Sequence, residues 1–117
     1  MLDVFKQYAI NLEAEVEGVW RTLQGAEFLI ARAGNREFNK ALAEGYRKHQ
    51  KALEADDEKA DQLAAQIINE AIAEHIVKDW KNVGLKGKEL PYSKDNVVKL
   101  LSMPELRDLR EALLSLS

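Results

Sequence analysis

The chain has 117 residues, 46% hydrophobic and 32% charged, which suits one domain with one modest core. It has no cysteine, which removes disulfides, thiolate nucleophiles and zinc–thiolate sites together. Its net charge of −3 runs against the positive surplus of a nucleic-acid binder, and no apolar run approaches the roughly 20 residues of a membrane span. With only 6 Gly and 2 Pro, long elements are expected, most of them helices. The first residues lack a basic flank ahead of an apolar stretch, so no signal peptide is expected.

Residues 1–12 carry Val4, Phe5, Tyr8 and Leu12, which suit a short apolar stripe or an anchor strand. From Glu13 the period changes. Glu13, Glu15 and Glu17 alternate with Ala14, Val16 and Gly18, which is strand spacing leading into Val19–Leu23. Gln24-Gly25 is a two-residue turn signal, and the return strand from Glu27 to Arg32 would set Trp20 opposite Leu29 and Val19 opposite Ile30. A lone hairpin is marginal in water, so its apolar face must rest on helices or on another chain.

Ala33-Gly34-Asn35 ends the strand and can cap a helix from about Arg36 to Leu53, with Phe38, Ala41, Leu42, Gly45, Tyr46, His49 and Leu53 on one stripe. The acids from Glu54 to Glu58 suit a turn and the positive end of a second helix. That helix is expected to run to Val83, with Ile68, Ile72, Ile76 and Trp80 on its apolar arc. Residues 84–92 form a loop. Ser93 caps a helix from about Lys94 to Leu101, and Ser102-Met103-Pro104-Glu105 has the form of a capping box for a last helix. The expected fold is therefore mainly α with an N-terminal β-hairpin (α+β), two long antiparallel helices and two shorter C-terminal helices. It forms a single domain over 1–117, divided into a hairpin (12–33), a helical hairpin (36–83) and a C-terminal helix pair (93–116).

His75 and Asp79 fall four residues apart on the arc of the second long helix. A metal would need a third and usually a fourth ligand there. His49 is the one other histidine, and in a helical hairpin turning near residue 56 it lies roughly 18 Å away along the axis. Ser93, Ser102 and Ser115 have no nucleophile elbow around them, and Gly84 and Gly87 are too isolated for a phosphate loop. No catalytic, cofactor-binding or metal residue is expected. His75 and Asp79 are expected to be a structural polar pair that hydrogen-bonds the 84–92 backbone.

The basic cluster of Arg47, Lys48, His49 and Lys51 is followed at once by four acids, and the charges along PELRDLREALL cancel, so no nucleic-acid contact is expected. What remains is apolar: Trp20, Phe28, Leu29 and Ile30 on the hairpin, and Leu106, Leu109 and Leu113 on the last helix. Each suits either the core or a partner.

Three stretches carry a resemblance: EGVWRTLQGAEFLIARAGNREFNKAL, AIAEHIVKDWKNV and LPYSKDNVVKLLSMPELRDLREALL. The chain resembles the tail assembly chaperones of long-tailed bacteriophages and prophages. The resemblance implies a non-enzymatic protein without cofactors that binds the tape measure protein, keeps it soluble and promotes tail-tube assembly. It also implies contact with the tail-tube protein, a frameshifted longer form of the chain and self-association. The setting it implies is the host bacterial cytoplasm, with the protein absent from the mature virion. A head-tail connector or tail completion protein, or a small helix-turn-helix regulator, are the alternatives.

Overall fold

A computed structural model describes residues 1–9 and 12–117. Positions 10 and 11, inside the N-terminal stretch left open between stripe and strand, lie outside the described residues, as does the side chain of Ala14. The elements are α1 (Val4–Tyr8), α2 (Leu12–Glu17), β1 (Val19–Leu23), β2 (Ala26–Ile30), α3 (Arg36–Lys48), α4 (Gln50–Glu54) and α5 (Glu58–His75). They continue with β3 (Val77–Lys81), β4 (Gly84–Leu85), β5 (Lys88–Glu89), α6 (Lys94–Leu101), a 3-10 turn (Pro104–Leu106) and α7 (Leu109–Ser115). The fold is mixed α/β, with a three-stranded antiparallel sheet in the order β1-β2-β3 and a separate ribbon of β4 and β5. This corrects the expectation of a mainly α chain built on an N-terminal hairpin and two long helices.

The main error lies at residues 76–81. Ile72, Ile76 and Trp80 keep helical spacing, yet α5 stops at His75. The segment that follows, Ile-Val-Lys-Asp-Trp-Lys, is rich in β-branched and aromatic side chains, and the inner edge of β2 is free to take it. In the resulting pairing Phe28 faces Trp80 and Glu27 faces Lys81, an aromatic and an opposite-charge cross-strand pair. Tertiary pairing thus overrides a local pattern that suits both states. Asn82 follows at φ 60, a left-handed position that asparagine tolerates, and its amide donates to the Gly25 carbonyl at 3.0 Å, fastening the strand end to the hairpin turn.

β1 and β2 pair with Trp20 opposite Leu29 and Val19 opposite Ile30. Gln24 and Gly25 both take positive φ, 48° and 86°, as a two-residue hairpin turn with right-handed strand twist requires. The alternation from Glu13 to Gly18 does not make a strand. Its glutamates and alanine are good helix formers, and α2 covers them. Gly18 then turns the chain at φ +99, where a Cβ would sit 3.1 Å from the Ile30 carbonyl carbon.

The first long helix is broken at His49 into α3 and α4. Asn35 caps α3 from a buried position. Its Oδ1 accepts from the Phe38 N–H at 3.0 Å, while its Nδ2 donates to the carbonyls of Arg32 at 2.8 Å and His75 at 3.2 Å. One side chain therefore joins the start of α3, the exit of β2 and the end of α5. α3 lies close against α5: a Cβ on Gly45 would come 2.6 Å from Ile67 Cγ2.

Ser93 caps α6, accepting from the Asn96 N–H at 3.0 Å. The capping box expected at Ser102 does not form. The Ser102 hydroxyl donates back to the Val98 carbonyl at 2.6 Å, and the chain makes a short 3-10 turn before α7. Ile72, Ile76, Val77, Val97 and Leu113 are fully buried and join α5, β3, α6 and α7 in one core.

Candidate functional site

The inner face of the sheet, the β4 strand and the C-terminal helices enclose an apolar cavity of about 200 Å³. Its floor is the buried side chains of Phe28, Trp80, Val97, Leu100, Leu101 and Leu113. Its rim is Val83, Leu85, Leu106 and Leu109, all half-buried. The site is a socket with an apolar mouth.

Trp80 organises it. The indole ring stacks edge-on against Phe28, with centroids 6.2 Å apart, and against Tyr92 at 5.4 Å. Its Nε1–H donates to the Leu90 carbonyl at 2.8 Å, and the Tyr92 hydroxyl donates to the Val77 carbonyl at 2.8 Å. A third bond, from the Leu90 N–H to the Val83 carbonyl at 2.8 Å, closes the 83–90 ribbon. These bonds pin residues 84–92, the task expected of His75 and Asp79.

The same change of element alters the setting of that pair. His75 ends a helix and Asp79 lies in a strand, so they share no helical face. Asp79 Oδ1 accepts from the Trp80 backbone N–H at 2.8 Å. His75 contributes its backbone carbonyl to Asn35.

Four of the seven apolar candidates, Phe28, Leu106, Leu109 and Leu113, meet in the socket. Ile30 is buried in the core at 3% exposure. Trp20 and Leu29, cross-strand partners, occupy the other face of the sheet, since side chains alternate and Phe28 points inward. There Trp20 is 39% exposed, with the Lys81 ammonium 4.4 Å from its ring centroid, a cation–π contact. Sequence reasoning missed Tyr92, Val83 and Leu85 as parts of the site. The one available signal was an aromatic just after a proline, in a segment read as loop.

Titratable groups bear on the site only at its edge. Burial pushes the Tyr92 hydroxyl above its ordinary 10.0, with the carboxylates of Asp79 and Glu74 adding to the rise. The folded state thus holds the phenolic proton more tightly than the unfolded chain. The stability this group contributes is present below pH 10 and is lost as pH rises through the raised folded value. Urea midpoints taken on either side of pH 10 are expected to fall less with pH in Tyr92→Phe than in the wild type.

A second groove, of about 420 Å³, lies between α3 and α5 and brings His49 and His75 to one lining with Glu44, Glu70 and Glu74. Among the described residues no three His, Cys, Asp or Glu side chains stand close enough together to hold a metal ion. Glu74 is turned to Lys94, whose ammonium donates to it at 2.6 Å and holds its carboxyl below the usual carboxylate range.

The chain matches the YdaY prophage protein over residues 33–117 and belongs to that family. It is a prophage protein. No curated protein and no solved structure matches it. The matched region contains the rim residues Val83, Leu85, Leu106 and Leu109, together with Trp80 and Tyr92.

Proposed function

We propose that the chain is a tail assembly chaperone: it holds the apolar tape measure protein in solution and promotes tail-tube assembly around it. The observation that carries this reading is the apolar socket with its four half-buried rim residues, Val83, Leu85, Leu106 and Leu109. A rim of this kind grips the apolar face of a helical client by burying side chains, and releases it without a bond being broken. Further exposed apolar groups, Val4, Phe5, Tyr8 and Trp20, add surface for an extended client. A net charge of −3 keeps the complex soluble. The resemblance in the three stretches quoted above and membership of the prophage family support the reading. On this reading the chain acts in the host cytoplasm, meets the tail-tube protein and a longer form of itself there, and leaves before the tail is complete.

Co-production with a tape measure fragment tests it. The fragment is expected to become soluble and to co-elute with the chain on gel filtration. An insoluble fragment and no complex would end the proposal. Recovery of the chain in purified particles would favour a permanent connector or completion protein instead.

A further inference from the structure

The segment from Pro104 to Leu113 turns Leu106, Leu109 and Leu113 to the socket, and Pro104, Arg107 and Arg110 to another groove. That groove, of about 620 Å³, runs between α5 and the C-terminal segment. Arg110 is half-buried in it, and its Nε–H donates to Asn69 Oδ1 at 3.0 Å. Asn69 is itself 2% exposed and donates through Nδ2 to the Leu101 carbonyl at 3.3 Å. Both ends of the buried amide are thus engaged, and it orients the guanidinium.

Among the described residues the one ion pair is Lys94 with Glu74, so neither Arg107 nor Arg110 has a carboxylate within salt-bridge reach. Glu70, at the α5 side of the groove, accepts instead from Gln66 Nε2 at 3.1 Å. A guanidinium carries five donors in a planar fork. Here the Nε donor is used, and the two amino groups keep the geometry that grips a carboxylate. A half-buried cation held in place by a neutral amide gains from an anion more than a freely solvated one does.

We infer that this groove takes the carboxylate of an aspartate or glutamate side chain from a polypeptide partner, gripped by Arg110 and Arg107. The apolar part of the lining, Ala65, Val98, Leu101 and Met103, suits the methylene stem of such a side chain. A nucleic-acid backbone fits poorly, because Glu105, Asp108 and Glu111 alternate with the two arginines and the whole chain is negative. The inference goes beyond the chaperone reading and does not depend on it.

The test is a titration of the full ¹⁵N-labelled chain with acetyl-glutamate amide, with acetyl-glutamine amide as the uncharged control, at constant ionic strength. The Arg110 Nε–H and Asn69 side-chain amide signals are expected to shift saturably with acetyl-glutamate amide, at about fivefold or more lower concentration than with the glutamine probe. Arg110→Gln is expected to abolish saturation. Arg107→Gln, at an exposed position whose side chain holds no other group, is expected to weaken it without touching the fold. Equal, unsaturated shifts with both probes, or saturation undiminished in both variants, would overturn the inference. Tighter binding of inorganic phosphate than of acetyl-glutamate amide would overturn it in favour of a phosphate ligand.

Discussion

Trp80→Ala is expected to remove about 3–5 kcal/mol of folding free energy, the range for truncating a large buried aromatic. Trp80 is 5% exposed and touches two aromatic partners, so the deletion opens a void next to an existing cavity. It also leaves the Leu90 carbonyl without its donor. Against a typical domain stability of about 5–15 kcal/mol, this brings the chain near the edge of folding. Trp80→Phe separates the two contributions. It keeps most of the ring and loses the bond, and should cost about 1–2 kcal/mol. Urea unfolding followed by circular dichroism measures both. A loss below about 1 kcal/mol for Trp80→Ala would mean that the indole does not hold the sheet to the 83–92 ribbon.

Asn35→Ala ranks second, at about 2–3 kcal/mol, combining a lost helix cap with carbonyls deprived of a buried donor. The cap N–H of Phe38 and the carbonyls of Arg32 and His75 all rely on this one amide. Asn35→Asp is the informative companion, because it restores the acceptor for Phe38 but offers the two carbonyls no donor. It keeps the cap but sets a carboxylate oxygen against two carbonyl oxygens at a buried position, so its stability should stay well below the wild type's. Hydrogen exchange at the Phe38 amide is expected to be fast in the alanine variant and slow in the aspartate variant. Equal protection in all three forms would contradict the role given to the cap.

The parts of the fold legible in the sequence are those fixed by short-range chemistry. Gln24-Gly25 specifies its turn, and with it the register of Trp20 and Leu29. Asn35 and Ser93 have the side chains for the caps they make. Residues 76–81 are not legible, because Ile72, Ile76 and Trp80 fit a helical arc while the β-branched and aromatic types Ile76, Val77 and Trp80 also suit a strand, and the choice rests on a partner strand some 50 residues earlier in the chain. Ser102 illustrates a weaker signal: a capping sequence whose hydroxyl finds a nearer acceptor at Val98. At the site, Phe28 and the C-terminal leucines could be picked out as large apolar groups with two possible fates. That they meet around one cavity depends on β3 joining the sheet and carrying Trp80 with it.

The central claim is that this prophage protein works through apolar contact at the socket rim. The most direct measurement is capture of a tape measure fragment by the wild type and by a Leu106→Asp/Leu109→Asp double variant. Both leucines are half-buried, so the variant is expected to keep its circular dichroism spectrum while losing nearly all capture. Undiminished capture by a folded double variant would contradict the account.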